Sequence, residues 1–176
     1  AGQNPAKAAS NGVAYFTGLG ARASALMALG PAEAANEDLL SPVDASDIIY
    51  FTGGDPAHLL HTLAGSPLLE RVLSARRRGV VLAGSSAGAM VMGSWMRFRT
   101  WTAALGLVDG LAALPHHERS EPSSVARELG ETAPSGLFAV GIDGMTCCLG
   151  DDEGWRVVGE GTVTTYFKGR WHRYGS

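Results

Sequence analysis

Apolar and polar positions divide the chain into short helices and strands that follow one another in turn. Residues 5–19 are rich in alanine with apolar side chains at helical spacing, and Gly20 is placed to stop the helix they predict. Residues 24–29 predict a short strand. A helix is predicted over 31–40, with Pro31 suited to its first turn. Residues 47–52, Asp-Ile-Ile-Tyr-Phe-Thr, read as a buried strand from their β-branched and aromatic content. Two helices follow, over 56–63 and 67–78. The second ends in Arg76-Arg77-Arg78, a solvated triplet whose charge suits the negative end of a helix dipole. Residues 79–83 form an apolar run typical of a central strand, and 88–92 begin another helix. Further strands are predicted over 111–114, 137–142 and 146–149. The polar stretch 120–135 predicts a loop plus one helix, and 155–174 alternates as antiparallel strands do around Lys168-Gly169.

This order predicts an α/β fold, a three-layer sandwich whose mostly parallel sheet ends in antiparallel strands. A chain of 176 residues fits a single domain with a sizeable core. Ligands of such sheets bind at the carboxyl ends of strands. Two such ends stand out: Thr52-Gly53-Gly54-Asp55 and Gly84-Ser85-Ser86-Ala87-Gly88.

Composition narrows the function classes. Apolar residues make up 45% of the chain and charged ones 18%, an ordinary globular profile. A net charge of −3 argues against a nucleic-acid partner, which needs a concentrated basic surface. No apolar run approaches the ~20 residues that cross a bilayer, so no membrane role is expected. The opening residues lack the basic start and apolar stretch of a secretory signal, and a cytoplasmic location is expected. Cys147 and Cys148 are adjacent, a spacing that rarely closes a disulfide, and are expected as two small buried residues. No His or carboxylate stands near them at metal-ligand spacing, so no metal site is expected.

The second strand end has the form of a nucleophile elbow. An apolar strand enters Gly84-Ser85-Ser86-Ala87-Gly88 and a small-residue helix leaves it, the context that gives a G-x-S-x-G match its meaning. The turn is sharp, so its neighbours must be small, and the hydroxyl of Ser86 is aimed out of the sheet. Backbone N–H groups at the start of the next helix can hold an oxyanion, with that of Ala87 the natural donor. The pair Gly53-Gly54, at the end of another strand, lets backbone approach a ligand closely and offers a second donor. A serine nucleophile needs a base. Of His58, His61, His116, His117 and His172, the first two fall on the surface of one helix and the last lies in the polar tail. His116 follows a strand and Pro115 at a strand end and is the best candidate, with His117 facing the other way.

Together these segments resemble the peptidase E and cyanophycinase family of serine peptidases. The matching text is Tyr50-Phe51-Thr52-Gly53-Gly54-Asp55, Gly84-Ser85-Ser86-Ala87-Gly88-Ala89-Met90, Leu105-Gly106-Leu107-Val108, Pro115-His116 and Gly141-Ile142-Asp143. The resemblance runs from about Pro5 to the end of the chain. It implies a flavodoxin-like, class I glutamine amidotransferase-like sheet, Ser86 as nucleophile and His116 as base. Gly53, Gly54, Asp55 and Ala87 then form the oxyanion and substrate side. It also implies cleavage of a small peptide beside an acidic residue, with no metal or organic cofactor.

The chain departs from the family pattern at three places. The glutamate that usually follows Gly-Ile-Asp is Gly144, and Pro56 replaces the polar residue after Gly-Gly-Asp. The strand, Gly-rich loop and second strand that open the family's fold are not seen ahead of Pro5. A preceding segment or another copy of the chain is therefore expected to cover a sheet edge. For the third catalytic group Asp143 is the first candidate, at the end of the strand over 137–142. Glu118 and Asp109 are the alternatives, as is a histidine held by a carbonyl or water. Two other functions fit the same text: an esterase-like enzyme using this elbow, and a binding or regulatory homologue with weakened catalysis.

Overall fold

The computed structural model describes residues 4–151 and 153–175. They fold as a mixed α/β chain in two compact units that divide after Gly88.

The first unit contains helices α1 (Pro5–Gly18), α2 (Pro31–Ala34), α3 (Glu37–Asp44), α4 (Pro56–Leu63) and α5 (Pro67–Arg77) and strands β1 (Ile48–Phe51) and β2 (Val81–Gly84). Its helix starts follow the chemistry of the sequence. The side chains of Asn4, Asn36, Asp55 and Ser66 accept the first free N–H groups of α1, α3, α4 and α5. Asn36 is the reason the helix predicted over 31–40 is two: α2 ends at Ala34, and the Asn36 cap restarts the chain as α3. The core is helical, with Leu40, Val43, Leu63, Leu68, Leu69, Val72 and Ala75 buried. Arg71 of α5 makes ion pairs with Glu37 and Asp44 of α3.

β1 and β2 pair in parallel, with Phe51 opposite Gly84, so their carboxyl ends lie side by side. The strands predicted as buried are open on one side: Ile48, Tyr50 and Val81 are exposed. Two strands covered on one face leave alternate side chains on the other. The strand predicted over 24–29 does not form. Residues 21–29 are irregular, no ladder partner stands beside them among the described residues, and the Leu29 carbonyl is taken by the ring of His58 (2.8 Å).

Helix α6 (Ala87–Met92) carries the chain into the second unit. There follow β3 (Trp95–Phe98), β4 (Thr100–Ala103), β5 (Leu111–Pro115), the 3-10 turn His117–Arg119, α7 (Pro122–Thr132), β6 (Phe138–Ile142), β7 (Thr146–Asp151), β8 (Gly154–Gly159), β9 (Thr162–Phe167) and β10 (Arg170–Gly175). A four-stranded sheet runs in the order β10-β9-β6-β5, with β5 and β6 parallel and the rest antiparallel. β3–β4 and β7–β8 are antiparallel hairpins. Parallel pairing thus holds at the two strand pairs that carry the candidate residues, and the other ladders are antiparallel: three hairpins and the β6–β9 pair. Helix α7 packs on the sheet through Val125, Ala126 and Leu129 against Leu114, Ala139 and Tyr166.

The predicted tail strands are β8, β9 and β10, and Lys168 and Gly169 both take positive φ in the turn of the last hairpin. The expectation of two buried cysteines fails, outright for Cys147 and in part for Cys148. Hairpin β7–β8 leaves Cys147 exposed and Cys148 half-buried, on opposite faces as strand alternation requires.

Candidate active site

At the end of β2 the chain turns within one residue. Ser86 has φ of 50°, the left-handed region that a residue with a side chain enters at a cost of about 1–3 kcal/mol. Two contacts impose it. The N–H of Ser85 extends the β1–β2 ladder to the Phe51 carbonyl (3.1 Å), and the N–H of Gly88 returns to the Ser85 carbonyl (2.8 Å). Gly88 packs directly on β1, and a Cβ there would lie 2.0 Å from the Phe51 carbonyl oxygen. Only glycine allows helix α6 to start so close to the strand, and that approach makes the turn sharp. Ser86 is half-buried and Ala87, the first residue of α6, is buried.

Gly53 is brought against this elbow by the register of β1 and β2. A Cβ at Gly53 would stand 3.3 Å from the Ser86 Cβ and 3.8 Å from its Oγ. Gly54 takes φ of 136°, which suits its lack of a side chain. Asp55 closes the turn by capping α4: its Oδ1 accepts the N–H groups of Ala57 (2.8 Å) and His58 (3.0 Å). Gly53, Gly54, Asp55, Ser86 and Ala87 therefore belong to one cluster at the carboxyl ends of β1 and β2.

In the second unit the β5–β6 register sets Pro115 opposite Ile142, so His116 and Asp143 are the next residues on two adjacent strands. His116 is exposed and left-handed (φ 57°, ψ 41°), and it turns the chain into the 3-10 turn. His117 points the other way. It is buried, and its Nε2 lies 2.5 Å from the Tyr166 hydroxyl. Burial pushes the His117 pKa down and that of Tyr166 up to about 12. Gly141 makes room for this ring, since a Cβ there would lie 2.3 Å from His117 Cδ2.

The three candidate carboxylates differ in what holds them. Asp143 Oδ2 accepts both the N–H (2.9 Å) and the hydroxyl (2.7 Å) of Thr162, tying the end of β6 to the start of β9. Asp109 Oδ1 accepts from Ser94 Oγ (3.1 Å) and from the N–H of Gly110 (2.9 Å), a brace inside a loop. Glu118 Oε2 accepts the N–H of Gly144 at 2.9 Å. Hydrogen bonds from backbone groups hold the Glu118 carboxyl below its ordinary range, aided by the nearby His116 and Arg119 charges. The contact with Gly144 was not legible in the sequence, because 26 residues separate the partners and only the β5–β6 register brings them together.

A serine in a left-handed strand-to-helix turn, flanked by glycine backbone on a neighbouring strand, gives this α/β chain the local form of a G-x-S-x-G elbow. The profile of Peptidase family S51 matches residues 7–146, and the chain belongs to that family. A cyanophycinase from Geminocystis herdmanii is 33% identical over 144 residues, which cover 73% of this chain and 52% of that protein. A cyanophycinase from Synechococcus elongatus is 29% identical over 165 residues, covering 85% of this chain and 51% of that one. The chain thus spans about half the length of these curated relatives. The crystal structure of a peptidase from an acI-B1 Actinobacterium superposes with a TM-score of 0.81 at 27% identity, covering 94% of this chain and 71% of that one. The fold is accordingly that of the glutamine amidotransferase-like peptidases. No helix among the described residues is long and apolar enough to cross a membrane.

Proposed function

We propose that this chain is a serine hydrolase that cleaves small peptides or isopeptides next to an acidic residue, through an acyl-enzyme on Ser86. The observation that carries the reading is the left-handed backbone of Ser86 in a G-x-S-x-G elbow, with Gly53 packed against its side chain. Backbone strain of this kind persists where the surroundings over-determine it, and it gathers at reacting groups. Membership of a peptidase family and likeness to cyanophycinases support the reaction class, and the acidic residue beside the scissile bond is what the resemblance of the sequence motifs implies.

In the proposed reaction Ser86 Oγ forms a bond to the scissile carbonyl carbon while its proton passes to His116. The N–H groups of Ala87 and of the Gly53-Gly54 turn receive the oxyanion. The carbon–nitrogen bond then breaks, and His116 gives the proton to the leaving amine. Water attacks the resulting ester, His116 takes a proton from that water, and the proton returns to Ser86 as the carboxylic acid leaves. Asp55 keeps the Gly53-Gly54 turn in place by capping α4. A carboxylate orients the imidazole, and Asp143 and Glu118 are the candidates nearest the strand ends around His116.

The test is turnover of a panel of aspartyl dipeptides and short-chain p-nitrophenyl esters by the parent and by Ser86→Ala. Loss of a nucleophile costs on the order of 10⁴- to 10⁶-fold in kcat. Aspartyl-peptide cleavage that vanishes in Ser86→Ala supports the proposal, and preference for esters moves the reading to an esterase. Turnover that survives in Ser86→Ala, or no cleavage of any substrate by the parent, overturns it.

A further inference from the structure

We propose that Glu118 is the positioning carboxylate of His116, acting from the same turn as the base. The inference rests on the reading of His116 as the base, and four observations inside the second unit carry it. First, the left-handed backbone of His116 folds the chain back at the end of β5, so the residue two positions on returns toward the neighbouring strand end. Second, the Glu118 carboxylate does not trail into solvent as an exposed glutamate usually does. Its Oε2 is anchored at 2.9 Å by the N–H of Gly144, two residues past the end of β6. Third, the carboxyl lies against residue 144. A Cβ at that position would meet Glu118 Oε2 at 3.7 Å and its Cδ and Oε1 at 3.8 Å, ordinary contact distances that set the carboxyl beside the end of β6. Fourth, Glu118 lies near enough to His116 for a charge on that ring to favour the ionised carboxyl, a smaller effect than the backbone hydrogen bonds at residues 118 and 144.

The other carboxylates are differently employed. Asp143 Oδ2 closes the β6–β9 junction on Thr162, and the Asp143 charge faces the buried His117. Asp109 braces Ser94 and Gly110. A carboxylate that reaches the imidazole from its Gly144 anchor would fix which ring nitrogen carries the proton and stabilise the imidazolium of the proposed reaction. Glu118 is short of direct contact with substrate in this role and acts through His116.

The experiment compares Glu118→Gln, Glu118→Asp and Asp143→Asn in the full chain. It uses ¹⁵N-histidine NMR and steady-state kinetics on an aspartyl p-nitroanilide. His116 signals are assigned by their loss in His116→Ala. Glutamine keeps the shape of Glu118 and can still accept the Gly144 N–H, so folding is preserved. The expected result is a single ring tautomer for His116 in the parent and a mixture in Glu118→Gln. In that variant kcat falls by about 100-fold or more with KM within about threefold, and Glu118→Asp recovers part of the rate. Asp143→Asn is expected to leave the His116 tautomer as in the parent and to lower the denaturation midpoint. A parental His116 spectrum in Glu118→Gln overturns the proposal, as does a His116 ring that responds to Asp143→Asn instead. Should the parent lack turnover, the hydrolase reading falls, while the His116 spectrum of Glu118→Gln still decides whether Glu118 holds the ring.

Discussion

Ser86 and His116 share a left-handed backbone, with φ of 50° and 57°. Two of the other non-glycine residues with positive φ, Arg99 and Lys168, turn hairpins, where such geometry is routine. At Ser86 and His116 it is enforced instead by packing on one side of the turn: Gly88 on Phe51 in one case, His117 in the core in the other. The space beside Ser86 and the seat of His117 are each testable by adding one methyl group. Gly53→Ala sets a carbon 3.3 Å from the Ser86 Cβ and 3.8 Å from its Oγ, crowding the hydroxyl that the proposed reaction uses. It is expected to lower kcat/KM by about 10- to 100-fold with little change in the urea midpoint. A variant with parental kinetics would mean that Gly53 does not face the reacting group. Gly141→Ala drives a carbon to 2.3 Å from the His117 ring. Overpacking of this kind costs about 1–3 kcal/mol, read by urea denaturation, and an unchanged midpoint would contradict the placement of His117. The sequence displayed Ser86, Gly53 and His116 because each sits in a short motif at a strand end. It did not display the anchoring of Glu118, since no local pattern records a bond from a turn to the end of another strand.

Helices proved more legible than strands, for a physical reason visible at their ends. Each helix of the first unit from α3 to α5 begins with a side chain that can cap it, a signal contained within four residues. Ser66 is the clearest case. Its buried hydroxyl accepts the N–H of Leu69 (3.1 Å) and donates to the Leu63 carbonyl (2.8 Å), joining the end of α4 to the start of α5. Ser66→Ala is expected to lower stability by about 1 kcal/mol, measured as a shift in the urea midpoint with the slope unchanged. No shift would mean that water replaces the cap. Strands depend on partners that local sequence does not name. Residues 24–29 have strand-like composition but no ladder, while β3 and β4 form a hairpin around Arg99 that carries no Asn-Gly or Asp-Gly turn to announce it. The predicted core strands β1 and β2 formed in place, yet with Ile48, Tyr50 and Val81 exposed, because burial is decided by neighbours rather than by apolar content.

For the molecule as a whole, acid lowers stability in two windows. Burial depresses the folded pKa of His117 below its ordinary 6.5, so above that value the ring is neutral in both states and its contribution is full. As pH falls below about 6.5 the unfolded chain takes up a proton that the folded chain resists, and stability declines. His117→Gln should flatten this part of the pH–stability curve. A second decline begins below the ordinary glutamate value of 4.5 and continues toward about 2. It arises because Glu121, capping α7 through the Ser123 hydroxyl and the N–H groups of Ser123 and Ser124, has its pKa lowered to about 2. Urea midpoints measured from pH 8 to pH 3 separate the windows, and a flat curve between pH 7 and 5 would contradict the buried neutral His117. The central claim, that Ser86 is a reacting nucleophile, is tested most directly by covalent labelling. The chain is treated with a fluorophosphonate and the modified residue is located by peptide mass analysis. The account predicts one phosphonyl group on Ser86, lost in Ser86→Ala and slowed in His116→Ala. Labelling that is absent from the parent, or that persists unchanged in Ser86→Ala, would contradict it.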